Sequence, residues 1–311
     1  MRAVVISGGD GFIGSHLAKY LSSLGFEVYA IVENNSPNKN LLKGYDNIHV
    51  IEGNLDNYDI ITPFLPSSPE AFCHFAWAGV GPDKRKDFVL QMKNVELSTN
   101  AVRLAASVGA KKFIFPGSTM EYVYYGKPIN REAIPSPLNA YGVAKISARY
   151  TCSILCNELN VSFVYSVISS VYSESRNDNN VISYTINMLL NNEKPRLTKL
   201  EQLWDYVHID DVVYGLGLLI EHGRRDGFYS IGHGDNWPLS KYIIMIRDII
   251  DSSAPLGIGE LPYEGEKMPC SCVDLNSIYE DTGFIPKIPF EVGIKRVISE
   301  IRKRKQGELG I

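Results

Sequence analysis

The sequence lacks long apolar runs and an excess of positive charge. No stretch approaches the roughly 18 to 20 apolar residues of a membrane-spanning helix. The 31 Lys and Arg stand against 35 Asp and Glu, which gives a formal net charge of -4 and argues against a basic nucleic-acid surface. The start Met1-Arg2-Ala3-Val4 leads straight into an apolar strand, which argues against a signal peptide. We therefore expect a cytoplasmic protein without a nucleic-acid or membrane partner.

Cysteine is sparse, and its spacing does not suggest a metal site. The chain has five cysteines, and an odd number in a chain of this class predicts free thiols. Cys152 and Cys156 would share a face of a helix, and Cys270 and Cys272 would share a face of a strand. Neither pair has the C-x2-C spacing typical of zinc, and no histidine lies near both pairs. We therefore predict no metal.

A glycine-rich turn follows the first strand. Gly8, Gly11 and Gly14 lie between the apolar residues 3–6 and a helical pattern that includes Leu17. A strand, a glycine turn and a helix form the setting in which this spacing binds a dinucleotide. Glycine allows backbone amides to reach the pyrophosphate, and the helix N-terminus adds partial positive charge. The sequence therefore predicts a dinucleotide site at this turn.

The first half of the chain alternates strands with helices. Right-handed crossovers of this kind produce a parallel sheet, and pockets form beyond the carboxyl ends of its strands. With 45% hydrophobic and 21% charged residues, the 311-residue chain has an ordinary globular composition. We expect an α/β protein: a Rossmann-type doubly wound parallel sheet with a smaller C-terminal lobe. The predicted strands of the first half are residues 3–6, 26–32, 48–52, 71–75 and 112–116.

Tyr141 and Lys145 are four residues apart on a predicted helix, so they share a face. A free tyrosine has a pKa of about 10, and a nearby ammonium group favours its phenolate form. Ser118 follows a predicted strand, and its hydroxyl could orient a reacting oxygen toward Tyr141. These three side chains form a candidate acid–base site near the predicted dinucleotide.

With these motifs the chain resembles an extended short-chain dehydrogenase/reductase of the NAD-dependent epimerase/dehydratase family. The resemblance covers essentially the whole chain and includes the glycine turn, residues 74–76, Asn94, residues 117–122, Tyr141 with Lys145, and residues 204–212. It implies that Tyr141 is the acid–base group, that Lys145 holds the nicotinamide ribose and lowers the pKa of Tyr141, and that Ser118 orients the substrate. The implied substrate is a nucleoside-diphosphate sugar, with hydride moving between a sugar carbon, often C4, and the nicotinamide.

The resemblance also implies a division of the chain and a cofactor site. Residues 1–170 are expected to form the NAD(P)-binding domain with the catalytic residues. Residues 171–311 are expected to form mainly a substrate-binding lobe, with 204–232 returning to the main sheet. A homodimer is implied, paired through residues 89–108 and 141–159. The expected cofactor-binding residues are Gly8, Gly11, Phe12, Ile13, Gly14, Glu33, Asn54, Leu55, Phe75, Ala76, Trp77, Asn94, Tyr141 and Lys145.

The residues after the second strand favour NAD, although NADP stays open. An Asp at the end of this strand favours NAD, and a nearby Arg favours NADP. Here Val32 stands at the usual Asp position, Glu33 follows, and no Arg or Lys comes before Lys39. Glu33 could bind ribose hydroxyls and would repel a 2′-phosphate.

Three departures from the family pattern narrow the expected reaction and substrate contacts. Sugar-nucleotide 4,6-dehydratases carry acidic residues just after the catalytic Ser or Thr, where this chain has Thr119 and Met120, so a dehydratase is not expected. Two arginines that relatives use for the substrate diphosphate are replaced by Trp204 and Val167. The expected substrate-binding residues are Ser118, Thr119, Trp204, Arg176 and Arg196, and Lys199 and Lys267 are further candidate cations.

The sequence is compatible with three functions. The leading expectation is a 4-keto-sugar reductase or dehydrogenase acting on a nucleoside-diphosphate sugar, with Tyr141 as the acid–base group. Residues 77–79 and the Gly-Ser-x-x-Glu-Tyr pattern are similar to a subgroup from bacterial surface-polysaccharide pathways that includes such reductases. The alternative is a 4-epimerase that recycles its NAD within one turnover. A non-catalytic dinucleotide sensor is the third possibility, against which the intact Ser118, Tyr141 and Lys145 argue.

Overall fold

A computed structural model describes residues 2–176, 180–263 and 269–308. Its main sheet has seven strands, and every neighbouring pair is parallel. Its strands are β1 (Ala3–Ser7), β2 (Glu27–Val32), β3 (Ile48–Glu52), β4 (Ala71–His74), β5 (Lys112–Ser118), β6 (Ser162–Ile168) and β11 (Gly227–Ile231). In spatial order the sheet runs β11-β6-β5-β4-β1-β2-β3.

The strand order places a crevice between β1 and β4. The chain winds outward through β2 and β3 on one side and through β5, β6 and β11 on the other. In such doubly wound sheets, ligands bind at the carboxyl ends of the strands where the order reverses. The doubly wound Rossmann-type sheet expected from the sequence is confirmed. Within residues 204–232, however, only β11 joins this sheet, and the domain division stays a prediction.

Helices cover both faces of the sheet. They are α1 (Phe12–Ser23), α2 (Tyr58–Ile61), α3 (Phe88–Ser107), α4 (Ala140–Glu158), α5 (Val181–Leu190), α6 (Ile209–His222), α7 (Leu239–Asp251), α8 (Asn276–Thr282) and α9 (Phe290–Glu308). One apolar core includes residues of α1 and α6, and a second includes residues of α3 and α4. The strands read as continuous apolar runs because both faces of the sheet are buried.

The C-terminal lobe has its own apolar core and three small sheets. Side chains from α5, α7 and α9 form this third core. The short strands are β7 (Ser170–Tyr172), β8 (Arg196–Leu197), β9 (Leu203–Trp204), β10 (Tyr206–His208), β12 (Trp237–Pro238) and β13 (Gly257–Ile258). They pair as β10 with β7, β12 with β9, and β13 with β8. Among the described residues, none of the helices combines the length and apolar character needed to cross a membrane.

Candidate active site

The end of β5 and the start of α4 bring Ser118 and Tyr141 together. Ser118 is the last residue of β5, and its Oγ accepts a hydrogen bond from the Met120 amide at 3.2 Å. Tyr141 lies in the first turn of α4, where the Asn139 side chain caps the helix by accepting from the Gly142 amide at 3.1 Å. The Ser118 side chain is a polar neighbour of the Tyr141 hydroxyl and counteracts part of the effect of burial on its pKa. The two hydroxyls therefore lie in the same region beyond the carboxyl end of the sheet.

Burial holds Tyr141 in its protonated form. Desolvation is the largest cause that raises the pKa of Tyr141 to about 12, and the negative charge of Glu121 acts in the same direction. The Ser118 side chain and the positive charge of Arg85 act in the opposite direction but are smaller. The lowered pKa expected for Tyr141 is thus not produced by the protein's own groups. A protonated tyrosine is suited to donate a proton to an oxygen on which negative charge develops.

Lys145 is held among aromatic rings on the same face of α4 as Tyr141. Its Nζ donates to the Pro116 carbonyl at 3.1 Å and lies 3.9 Å from the centre of the Trp77 ring. The distance from Nζ to the centre of the Tyr141 ring is 6.0 Å. Burial lowers the pKa of Lys145. One ammonium donor is used by Pro116, so two others are available for ribose hydroxyls.

Glu121 is a buried carboxylate that the sequence did not place at the site. Its Oε1 accepts from the Ser118 amide at 2.7 Å, and its Oε2 accepts from the Tyr165 hydroxyl at 2.5 Å. Burial raises the pKa of Glu121. The signal was present in the sequence, because Ser followed three residues later by Glu is the capping-box pattern. Glu121 therefore fixes the backbone of Ser118.

Replacing Glu121 should separate its hydrogen-bonding role from its charge. In Glu121→Ala the Ser118 amide loses its acceptor, and we expect the free energy of unfolding to fall by about 1–3 kcal/mol. Glu121→Gln keeps an oxygen that can accept from Ser118, so its stability should stay closer to that of the wild type. Urea denaturation of both variants measures this difference. Equal losses in the two variants would contradict the hydrogen-bonding role.

The glycine turn has the geometry of a dinucleotide site. A Cβ added to Gly8 would lie 2.6 Å from the Ala76 nitrogen, and one on Gly14 would lie 2.1 Å from the Gly8 oxygen. The turn is thus packed directly against the segment after β4, and no side chain fits between them. Phe12 and Ile13 begin α1 and pack against the first core. The first amides of α1 are therefore presented to the crevice, which fits a pyrophosphate.

Several residues predicted to bind the cofactor use their polar groups to shape its crevice. The Asn94 side chain accepts from the Ala78 amide at 2.9 Å and donates to the Ala78 carbonyl at 3.0 Å. Gln91, which the sequence did not indicate, accepts from Trp77 Nε1 at 2.9 Å. Asn54 accepts from the Asp56 amide at 3.0 Å. These side chains hold the loops after β3 and β4.

Two further predicted residues line the same region through apolar packing. Leu55 is buried in the second core, and its backbone carbonyl accepts from the side-chain amide of Asn100 at 3.1 Å. Phe75 packs against the first core, and its amide donates to the Ser7 carbonyl at 2.9 Å. The loop after β4 is therefore joined to β1, which positions Ala76 beside the glycine turn.

The groups beyond β2 favour NAD over NADP. Glu33 is exposed directly after this strand. The first positive residue that follows, Lys39, donates to Glu52 at 2.8 Å, so its charge is already compensated. Asp10 of the glycine turn accepts a hydrogen bond from Ser36, which brings a second carboxylate to this end of the crevice. A 2′-phosphate would meet this acidic edge, whereas ribose hydroxyls can donate to it.

The arginines expected at the substrate lie in different places. Arg176 donates to the Val171 carbonyl at 2.6 Å, and its guanidinium lies 4.9 Å from the centre of the Phe12 ring, at the start of α1. It is therefore next to the glycine turn. Arg196 is exposed on β8 and pairs with Glu260 at 3.6 Å. Lys199 is exposed in the same lobe, and Lys267 lies outside the described residues.

Thr119 joins the turn of residues 118–122, called the catalytic turn below, to the lobe, whereas Trp204 is bonded within the lobe. The indole of Trp204 donates to Ser170 at 2.8 Å, and its carbonyl accepts from Tyr242 at 3.0 Å. Thr119 is buried and accepts a hydrogen bond from Ser271 at 2.9 Å. The indole N–H of Trp204 and the hydroxyl of Thr119 are thus both bonded within the protein. Only the ring face of Trp204 is left for a substrate contact.

Arg85 is a cation near the catalytic residues that the sequence did not single out. It lies in the loop between β4 and α3, where its Nε donates to the Val80 carbonyl at 2.7 Å. Its guanidinium is 5.5 Å from the centre of the Tyr141 ring. Basic residues in a loop usually form only a solvated surface. Arg85 differs because it lies beside Tyr141, where its positive charge acts to lower the pKa of the hydroxyl.

The comparisons with known proteins agree with this geometry. The model of the NAD dependent epimerase/dehydratase family matches residues 4–232. The chain belongs to this family. Its description names NAD, the cofactor expected from the sequence. Several similar proteins are named for nucleotide sugars, and a 4,6-dehydratase is among them.

Three relatives show the range of reactions among similar proteins. A dTDP-D-glucose 4,6-dehydratase from Mus musculus is 25% identical, covering 97% of this chain and 89% of the relative. A CDP-abequose synthase from Salmonella muenchen is 23% identical, covering 96% and 97%. A mutant UDP-glucuronic acid 4-epimerase from Bacillus cereus, in complex with UDP-4-deoxy-4-fluoro-glucuronic acid and NAD, has a TM-score of 0.84 at 20% identity, covering 97% and 100%.

Proposed function

We propose that this protein is an NAD(H)-dependent oxidoreductase that acts at C4 of a nucleoside-diphosphate sugar. The observation that carries the proposal is the grouping of Ser118 beside Tyr141, with Lys145 on the same helix as Tyr141 and a glycine turn that fits a dinucleotide. Bound NAD(H) supplies hydride transfer. Reduction of a 4-keto group is favoured because burial keeps the Tyr141 hydroxyl protonated.

The protein's residues divide the remaining work between them. Ser118 donates a hydrogen bond to the keto oxygen, and the Glu121 carboxylate keeps the Ser118 backbone in place. Tyr141 gives its proton to the same oxygen as negative charge develops there. Lys145 holds the ribose next to the nicotinamide through its free ammonium donors. The aromatic rings around Lys145 exclude water, which strengthens these polar interactions.

A 4-epimerase is the second candidate, and the acidic edge beyond β2 is the observation that favours it. An epimerase recycles its cofactor, and we expect recycled cofactor to be NAD. Denaturing the freshly purified protein and analysing the released nucleotide by mass spectrometry separates the two functions. Stoichiometric NAD or NADH supports an epimerase. A protein that carries no nucleotide and exchanges added NADH at each turnover supports the reductase.

We propose that the protein is not a 4,6-dehydratase, although a dehydratase is among its relatives. Water elimination needs an acid and a base near C5 and C6 of the sugar, and the residues after Ser118 are Thr119 and Met120. Glu121 is already bonded to Ser118 and Tyr165. Incubation with dTDP-glucose and NAD should therefore give no 4-keto-6-deoxy product by mass spectrometry. Its formation would overturn this part of the proposal.

We propose that two chains associate through α3 and α4, which pack against each other. The two helices expose six large apolar side chains: Phe88, Val89, Met92, Val143, Tyr150 and Ile154. We expect light scattering to give twice the chain mass of 34.7 kDa. Ile154→Glu should produce a monomer because it places charge in the interface. Ile285→Glu, at an exposed apolar residue outside these helices, should remain a dimer; a dimer for both variants would contradict this interface.

A further inference from the structure

Two cysteine side chains meet beside the catalytic turn. Cys270 and Cys272 are free thiols on one side of an extended segment, with their Sγ atoms 3.2 Å apart. Cys272 is buried, whereas Cys270 is partly exposed. A reagent from solution can therefore reach Cys270, while Cys272 is held next to it as an internal partner.

Hydrogen bonds connect this segment to the catalytic turn and to the lobe. The amide of Cys270 donates to the Val123 carbonyl at 2.8 Å, and the Asp205 amide donates to the Ser271 carbonyl at 2.7 Å. The Ser271 hydroxyl, between the two cysteines, donates to Thr119 at 2.9 Å. Thr119 directly follows Ser118. A change in the shape of the Cys-Ser-Cys segment is thus transmitted to the turn that carries Ser118.

We propose that Cys270 and Cys272 form a thiol-oxidation site that closes to an intramolecular disulfide when the protein meets a hydroperoxide. With hydrogen peroxide, the Cys270 thiolate attacks one oxygen and the O–O bond breaks, so that the sulfur becomes a sulfenic acid. The other oxygen leaves as hydroxide and takes up a proton to form the first water. The Cys272 sulfur then displaces the hydroxyl from Cys270, which forms the S–S bond and releases the second water. The two thiols lose two electrons and two protons, and the hydroperoxide is reduced.

The environment makes Cys270 the reactive member of the pair. The Cys272 sulfur next to it lowers the pKa of Cys270, which favours the thiolate form of Cys270. Burial raises the pKa of Cys73 and Cys152, which keeps those thiols protonated. Oxidation should therefore select Cys270 from among the five cysteines.

The geometry predicts a disulfide that is easily reduced. Cα atoms two residues apart on an extended strand are about 6.4–6.8 Å apart, the upper end of the range for disulfides. The sulfurs must also approach to about 2.0 Å, so the segment has to shorten. Such strain favours re-reduction. It also draws Ser271 away from Thr119, which loosens the catalytic turn.

Mass spectrometry of the whole protein tests the site without an activity assay. The reduced protein is treated with one equivalent of hydrogen peroxide, alkylated in denaturant and digested with trypsin. We expect the peptide of residues 268–287, which contains both cysteines, to be about 2 Da lighter than the dithiol peptide, unalkylated, and restored by dithiothreitol. Cys152 and Cys156 should remain alkylated, and Cys272→Ser should instead leave a sulfenic acid at Cys270.

Two other results would overturn parts of the proposal. Complete alkylation of both cysteines, or sulfinic acid at Cys270 with Cys272 still a thiol, would rule out the disulfide site. The link to the catalytic turn is tested by hydrogen exchange at the amides of Met120 and Tyr122, which donate to Ser118 and Thr119 within that turn. We expect roughly tenfold faster exchange after oxidation. Unchanged exchange in the oxidised protein would overturn the transmission to the catalytic turn.

Discussion

Tyr141→Phe should lower kcat by a factor of about 10²–10⁴ while the affinity for NAD stays at the wild-type level. The variant removes the hydroxyl that gives its proton to the substrate oxygen and leaves the ring in place. The edge-to-face contact of that ring with Trp77, at 5.9 Å between centres, is retained, so the crevice should keep its shape. Steady-state kinetics measures kcat, and calorimetry measures the NAD affinity.

Tyr279→Phe is the control for this substitution. Tyr279 lies on α8, outside the proposed dimer interface, and is 55% exposed. The control should retain wild-type kcat, because the lost hydroxyl lies away from Ser118. Wild-type turnover in Tyr141→Phe would eliminate the assigned acid–base role. If Lys145→Ala also left turnover and NAD binding unchanged, the non-catalytic sensor would become the better explanation.

Gly8→Ala should abolish NAD binding and destabilise the fold. Gly8 has φ of +69°, where a side chain costs about 1 kcal/mol or more, and an added Cβ would lie 2.6 Å from backbone at Ala76. The turn must therefore move away from the segment after β4, which opens the pyrophosphate site. NAD at 100 times its Kd should stabilise the wild type by about 2.7 kcal/mol and the variant not at all. Chemical denaturation with and without NAD gives both quantities.

Gly25→Ala separates backbone strain from the close approach. Gly25 has a similar φ of +79°, yet nothing lies within 4 Å of an added Cβ. This control should lose about 1 kcal/mol of stability and keep its full response to NAD. An equal loss of the NAD response in both glycine variants would mean that general destabilisation, and not the glycine turn, controls cofactor binding.

The sheet could be predicted from the sequence because its signals are local. Apolar runs bounded by glycine and polar residues identified the strands of the first half, and β3 has the predicted bounds, residues 48–52. The carboxyl end of β5 was harder to predict from the sequence. This strand continues to Ser118, two residues past the predicted end at Pro116, because Gly117 and Ser118 pair with β6. Pairing with a distant strand, rather than local propensity, determines where such a strand stops.

The helical spacing of Tyr141 and Lys145 was equally visible, but their surroundings were not. The burial that raises the pKa of Tyr141 comes from the folded crevice, and Lys145 gains its aromatic neighbours from β5 and the loop after β4. Glu121 meets Tyr165, and Thr119 meets Ser271, across long stretches of chain. Contacts of this kind leave no periodic trace in a single sequence.

The C-terminal lobe was the least predictable part. Its strands β8, β9, β12 and β13 have two residues each, too few to show an alternating pattern. The positions of Arg176 and Arg196 depend on these connections, so charge alone could not assign them. Arg176 lies against Phe12 at the glycine turn, which makes it a candidate for the cofactor pyrophosphate rather than for the substrate diphosphate.

Transfer of deuterium from labelled NADH to C4 of a sugar is the direct test of the proposed oxidoreductase reaction. The protein would be incubated with NADH deuterated at nicotinamide C4 and a panel of UDP-, dTDP-, CDP- and GDP-linked 4-keto sugars, with product analysis by mass spectrometry and NMR. We expect deuterium at C4 of at least one product with the wild-type protein and none with Tyr141→Phe. Failure of the NADH-bound wild type to label any member of the panel, or label at another carbon, would contradict it.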